Sequence, residues 1–267
     1  MAEKYETISV EQFQEQFLDL HAKLTSYLFR LTANRQDAED LAHDAYLKAL
    51  RNLAGFAGKS SLKTWLFSIA TNLAKDHFRV RQRWQVDSQD HCREDTQASP
   101  EKVNRMREIV AESPAEAYEF QEHIDYCFTC IAKTLEIEQQ LILILKEIYT
   151  FKVSEIMEIL GQTEGRVKYA LSQARKRISE IYEQRCELVN KSGACWQCSE
   201  INDFIRPARD GKQQLVQLQL RREAKKGASK ERLLDLRTEL VKGVDSLGSP
   251  GAALHEYLLT LIPESLR

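Results

Sequence analysis

The stretch Asp37-Ala38-Glu39-Asp40-Leu41-Ala42-His43-Asp44-Ala45-Tyr46-Leu47-Lys48-Ala49-Leu50-Arg51 decides the reading of this chain. Ala38, Leu41, Ala42, Ala45 and Ala49 recur at steps of three and four, so they line one face of a helix. Asp37, Asp40 and Asp44 fall on a neighbouring stripe. Just downstream, Thr64-Trp65-Leu66-Phe67-Ser68-Ile69-Ala70-Thr71-Asn72-Leu73-Ala74-Lys75-Asp76-His77-Phe78-Arg79 reads as a second helix, aromatic and basic. An acidic helix beside a basic, aromatic one suits a chain that holds a protein with one surface and nucleic acid with another.

Outward from this pair the pattern stays helical. Val10, Phe13, Phe17, Leu20, Leu24, Tyr27, Leu28 and Leu31 recur at helical steps until Asn34 and Arg35 interrupt them. Gly55–Ser61 reads as a loop, with Ser60 or Ser61 as the cap of the aromatic helix. Residues 8–83 thus form a first helical unit. Residues 84–115 are rich in Gln, Asp, Glu, Arg and Ser and contain Pro100 and Pro114, so they read as a flexible linker that buries little, with a short helix over 101–111. A second unit spans 116–185. Its apolar stripes are Ile124, Phe128, Ile131 and Leu135, then Leu141, Leu145 and Ile148. Short helices at 153–160 and 164–183 follow, separated by Gly161-Gln162-Thr163, which is a helix-turn-helix pattern. Residues 186–267 form a C-terminal extension. A polar, basic helix is expected over 211–226, an amphipathic one through Leu233, Leu236, Leu240 and Val244, and a last one through Leu254, Leu258 and Leu261. No strand alternation is evident, so the fold class is all-α: two helical domains, a linker and a small helical extension.

Composition narrows the class. The chain has 267 residues and a formal net charge of −2. Basic residues nevertheless cluster at 75–83, 166–177 and 221–232, and local potential steers a protein onto phosphate more than net charge does. The polar start is not a secretory signal, and the longest apolar run, Leu141–Leu145, is far too short to span a bilayer. The expectation is a cytoplasmic protein without a membrane span, with its six cysteines as thiols or metal ligands rather than disulfides. No nucleophile–base pairing, phosphate loop or carboxylate pair points to an enzyme.

The second helix of the helix-turn-helix pattern should enter the major groove with Thr163, Glu164, Arg166, Lys168 and Tyr169 at base edges. Arg166 can fork onto guanine and Glu164 can accept from cytosine. Arg175, Lys176 and Arg177 suit phosphates, which give affinity without sequence information. In the first unit Lys75, Arg79, Arg81 and Arg83 can hold a backbone while an aromatic such as Trp65 stacks on an unpaired base. Trp65 and Asn72 lie seven residues apart and share a face; Leu66, Phe67 and Ile69 read as core.

These residues carry a resemblance. Asp37–Arg83 resembles region 2 of the group IV (extracytoplasmic-function) sigma factors of bacterial RNA polymerase, through Asp37-Ala38-Glu39-Asp40-Leu41 and Ser61-Leu62-Lys63-Thr64-Trp65-Leu66-Phe67-Ser68-Ile69-Ala70-Thr71-Asn72. Thr134–Ile178 resembles region 4, through Gly165-Arg166-Val167-Lys168 and Ala174-Arg175-Lys176-Arg177. The resemblance implies that Asp37, Glu39, Asp40 and Asp44 dock on the β′ clamp helices of core polymerase. It implies that Phe56 and Asn72 line a pocket for a flipped base of the −10 element, with Lys63 and Trp65 beside it, and that region 4 reads the −35 element. Its implied partners are core polymerase (β′ clamp helices and β flap), promoter DNA and an anti-sigma factor. One departure stands out. Ala170 and Gln173 occupy positions that are basic in the family pattern, so a −35 preference does not carry over.

The cysteines leave alternatives open. Cys127-x-x-Cys130 lies on a helix and Cys195-x-x-Cys198 in a turn-like stretch. Two such pairs could close a thiolate zinc site if the tail folds back; Cys127 and Cys130 equally suit small buried positions, and a redox pair is a third reading. Lys191 stands where a zinc anti-sigma motif would place histidine. The extension suits packing on region 4 as a built-in regulator, or on another protein. The rival to the sigma reading is a stand-alone helix-turn-helix regulator with a thiol or zinc switch.

Overall fold

The computed structural model describes residues 8–79, 83–112, 120–186, 219–220 and 222–262, and every regular element among them is helical. Helix α1, Val10–Thr32, opens on a capping box: the Ser9 hydroxyl accepts from the Gln12 amide at 3.2 Å, and the Gln12 side chain accepts from the Ser9 amide at 2.9 Å. It ends at Ala33, a left-handed residue with φ 56°, whose N–H bonds the Phe29 carbonyl at 2.7 Å. Asn34 at once caps α2, Arg35–Arg51, by accepting from the Asp37 amide at 2.9 Å. Ser61, one of the two expected caps, accepts from the Thr64 amide at 3.1 Å and starts α3, Leu62–Phe78.

Helix α2 buries Ala38, Leu41, Ala42, Ala45 and Ala49 against α1 and α3. An alanine-lined face lets backbones approach closely, which packs α1, α2 and α3 into one bundle. Leu66, Phe67 and Ile69 lie in its core, as their spacing indicates.

In the second unit helix α6, Phe120–Ala132, precedes α7, Ile137–Leu143. The apolar run Leu141–Leu145 is fully buried. Beyond α7 the coil widens over Ile144–Ile148, where the Tyr149 N–H reaches the Ile144 carbonyl at 3.2 Å. Helices α8, Val153–Leu160, and α9, Glu164–Arg185, are joined through Gly161, whose φ of 63° favours glycine.

In the joint at 84–115 the helix expected over 101–111 is present as α5, Pro100–Glu112, but a further helix, α4, Ser88–Gln97, and the burial of Trp84, Cys92 and Met106 depart from expectation. Its apolar residues are too sparse to show a period, yet each meets a surface supplied from elsewhere. Helix α5 packs on the last helix of the tail, and the Cys92 thiol lies 3.9 Å from the Leu258 carbonyl. Burial that depends on a distant partner leaves no local signature.

The extension contains α10, Lys230–Val241, and α11, Ala252–Thr260, with Leu233, Leu254, Leu258 and Leu261 buried as expected. Most of the helix expected over 211–226 lies outside the described residues. Helix α10 packs on α6 and α9, and α11 on α5 and α6. Among the described residues no helix is long and apolar enough to cross a membrane.

One buried group ties the three parts together. Arg30 of α1 is 1% exposed. Its Nε donates to Asp125 of α6 at 2.8 Å, Nη1 to the Tyr149 hydroxyl at 2.6 Å, and Nη2 to the Val244 carbonyl beyond α10 at 2.8 Å. Ser246 donates to the other oxygen of Asp125. Lys133 donates to the Leu31 carbonyl at 3.1 Å and Gln140 to the Arg30 carbonyl at 3.1 Å, which satisfies the last carbonyls of α1. Asp125→Ala should strand a buried guanidinium and lower unfolding free energy by about 3–5 kcal/mol in denaturant titration. A loss below about 1 kcal/mol would contradict this account of the hub.

The α6–α11 contact carries a pH dependence. His255 stacks on Tyr126 with ring centroids 5.1 Å apart, and His123 lies beside them. Desolvation pushes His123 down to about 4; desolvation, then the neighbouring His123, pushes His255 well below its ordinary value. Both are held neutral, so their contribution is present above the ordinary histidine pKa of 6.5 and is lost as pH falls toward 4. Thermal melts should show the loss over that window, on the order of 3 kcal/mol for His123 at its limit, and His255→Phe should reduce the loss while leaving the His123 share.

Candidate docking and nucleic-acid surfaces

Helix α2 turns its alanine face inward, so Glu39, Asp40 and Asp44 are exposed and Asp37 is half-buried. Asp37 lies 3.5 Å from His77 Nε2, Asp40 accepts from Gln36 at 2.9 Å, and Glu39 pairs with Arg35 at 3.2 Å. Arg35 also forks onto Glu256 of α11 and donates to the Leu247 carbonyl at 2.9 Å. The acidic face is therefore presented to solvent, with the tail seated at its N-terminal edge. Sequence reasoning missed that contact, because no local pattern links positions 35 and 256.

Around the start of α3 the rings of Phe56 and Trp65 are 5.0 Å apart, and both remain partly accessible. Asn72 is exposed two turns further along. Tyr27 shares a 2.7 Å hydrogen bond with Thr71 beneath it. This places Trp65 and the Asn72 amide on one helix, with Phe56 of the preceding turn against Trp65, a geometry able to take an unstacked base.

The cations of this unit divide. Arg79 is exposed, and Arg81 lies outside the described residues. Lys63 reaches the second unit instead. Its ammonium is 4.2 Å from the Phe151 ring and 3.3 Å from the Tyr149 carbonyl, and desolvation holds its pKa below the ordinary value. Lys75 is half-buried and likewise lowered by desolvation, against the pull of Glu138. Arg83 donates to the carbonyls of Leu135 at 2.6 Å and Ala132 at 3.2 Å and to the Gln140 side chain, and desolvation brings it down to about 10. In this arrangement Arg83 caps the C-terminal end of α6.

At the helix-turn-helix, Thr163 caps α9 and Glu164, Arg166, Lys168 and Tyr169 are exposed, Tyr169 at 68%. Glu164 pairs with Lys168 at 2.5 Å, which lowers its pKa, and Arg166 lies 3.4 Å from Glu138. Lys176 and Arg177 are exposed. Arg175 differs: it is held between Glu147 of the second unit and Asp235 of α10, each at 2.5 Å. Ala170 is buried, so the position that departs from the family pattern faces the core.

Cys127 and Cys130 are buried on α6, beside Phe128 and Ile131 in the core cluster. Cys195 and Cys198 lie outside the described residues. Among the described residues no group of metal-ligating side chains is large enough to hold an ion. Cys186, which sequence reasoning passed over, accepts from Arg237 at 3.4 Å.

Comparison with known proteins agrees with this geometry. Residues 17–84 match the family model for sigma-70 region 2, and residues 126–178 match that for sigma-70 region 4. The helical bundle and the helix-turn-helix unit are those of a sigma-70-type protein. The RNA polymerase sigma factor YlaC of Bacillus subtilis is 30% identical over 175 residues, covering 64% of this chain and 91% of YlaC. The ECF RNA polymerase sigma factor SigX of the same organism is 31% identical over 166 residues, covering 59% of this chain and 77% of SigX. The chain belongs to the ECF sigma factors. It spans less than half the length of another relative, SigG of Mycobacterium tuberculosis, which is 29% identical over 170 residues, 45% of that protein. Residues 85–125, which include nearly all of the joint, and 179–267, which include the whole extension, lie outside the segments matched by the two family models.

The placements separate two classes of cation. Arg83→Ala should lower stability by about 1–3 kcal/mol, since it removes the side-chain donor to the Leu135 carbonyl and to Gln140. Arg177→Ala should leave stability within about 0.5 kcal/mol and reduce the salt slope of DNA binding by about one. Equal stability losses in both variants would sink the distinction.

Proposed function

We propose that this chain is a promoter-specificity subunit that joins core RNA polymerase, directs it to promoters and helps open them. One observation carries the reading: matches to regions 2 and 4 occur on a single chain whose α2 acidic face and α9 N-terminal face are both open to solvent. In this reading residues 8–83 serve core docking and the −10 element, 116–185 serve the −35 element, and 84–115 join them. Asp37, Glu39, Asp40 and Asp44 meet the β′ clamp helices. Charge complementarity there would set encounter rate and register more than raw affinity. The β flap and an anti-sigma factor complete the set of protein partners, and the setting is the cytoplasm.

At the −10 element Phe56, Trp65 and Asn72 receive an extruded base. Extrusion costs a few kcal/mol of stacking, so the aromatic pair and the amide must return that energy. Lys63, Lys75, Arg79, Arg81 and Arg83 supply positive charge to the −10 DNA, those now engaged by the second unit becoming available once the two units part. At the −35 element Thr163, Glu164, Arg166, Lys168 and Tyr169 face bases, and Arg175, Lys176 and Arg177 face phosphates. The role is regulatory: chemistry belongs to the polymerase, and this chain supplies location.

Run-off transcription with core polymerase tests the proposal. The chain should shift initiation to defined start sites. Asp40→Lys with Asp44→Lys should abolish capture of core polymerase while leaving the melting temperature near its parental value, because both side chains are exposed. Retained capture would overturn the docking role of the α2 acidic face, and absence of capture by the parental chain as well would favour the stand-alone regulator, which needs no polymerase.

A further inference from the structure

The geometry points to an inhibitory function for the C-terminal extension: residues 230–262 form an intramolecular clasp that holds the two sigma regions closed against each other and must be released before promoter binding. The inference rests on the promoter-reading role proposed above. Elements centred near −10 and −35 are about 25 base pairs apart, and at about 3.4 Å per pair that is roughly 85 Å of duplex. Here the two readers touch. Helix α3 packs on α8, Lys63 lies over the Phe151 ring at 4.2 Å, and Thr64 is 3.5 Å from Glu155. An arrangement with these contacts cannot engage both elements, so initiation requires the regions to separate.

The extension grips both halves. On the region 2 side Asp245 accepts from Ser26 at 2.8 Å, the Val244 carbonyl accepts from Arg30, and Glu256 and the Leu247 carbonyl take Arg35. On the region 4 side Asp235 takes Arg175, Lys230 pairs with Glu183, and Arg237 lies 4.2 Å over the Tyr182 ring. Glu122 of α6 accepts from the Gly251 amide at 2.9 Å at the start of α11. Ser246 shares Asp125 with Arg30, so the tail completes the hydrogen-bond shell of the ion pair that joins the regions.

Two of these contacts fall on functional surface. Glu256 neutralises Arg35 beside Glu39 and seats α11 at the edge of the docking face. Asp235 withholds Arg175, one of the cations offered to −35 phosphates. The clasp therefore opposes polymerase and DNA together, and either partner competes with it by mass action.

The test uses the full chain with Asp235→Asn and Glu256→Gln combined, neither of them a residue of the reading surfaces. Circular dichroism confirms the fold, small-angle scattering reads the radius of gyration, and titration reads affinity for core polymerase. The expected result is a larger radius and core binding about ten-fold tighter than the parent, equivalent to about 1.4 kcal/mol. A folded variant with parental radius and parental affinity overturns the clasp. If parent and variant both ignore core polymerase, the sigma reading itself is overturned. Should the variant not fold, hydrogen exchange on the parental chain decides: core binding should strip amide protection from 230–262, and unchanged protection in the complex refutes release.

Discussion

The contact between Arg30 and Asp125 is the constraint on which the rest of the arrangement depends. Taking a guanidinium and a carboxylate out of water is costly, and such a pair persists only when its remaining donors and acceptors are satisfied. Here they are satisfied by groups from every part of the chain: Tyr149 from the second unit, Val244 and Ser246 from the extension. A buried ion pair adds little net stability over an apolar replacement, yet it tolerates few geometries. It therefore acts as a register pin, fixing how α1, α6 and the 244–246 turn meet.

Around that pin the same side chains take on two meanings. Lys63, Lys75, Arg83 and Arg175 read in sequence as cations waiting for phosphate. In the folded chain each is partly withdrawn from water by another element, over Phe151, beside Glu138, on the carbonyls ending α6, or between Glu147 and Asp235. By contrast Asn72, Arg79, Arg166, Lys168, Tyr169, Lys176 and Arg177 stay open. The division follows the contacts between the units, so one arrangement both joins them and withdraws part of the positive charge from solvent.

Local chemistry marked the helices well. Ser9, Asn34 and Ser61 offered side-chain oxygens at helix starts, and Gly161 gave a left-handed turn where the helix-turn-helix pattern needed one. These signals act within one turn of helix, so a reader of the chain can see them. The acidic face of α2 was legible for the same reason: alternation of alanine and aspartate at helical spacing sorts inside from outside. Helices α4 and α5 were not legible as packed elements. Their few apolar residues, Cys92 and Met106 among them, acquire meaning only against α11.

Sequence by itself determined the helical class, the positions of the two functional units, the acidic and aromatic faces and the family, because periodicity, capping and motif spacing are properties of neighbouring residues. Tertiary structure alone decided which cations remain available, where the extension lies and how the two units are joined. Those outcomes depend on pairs such as Arg35 with Glu256 and Arg30 with Asp125, and the free energy of a pair far apart in the chain is set by burial and geometry that exist only once the chain has folded.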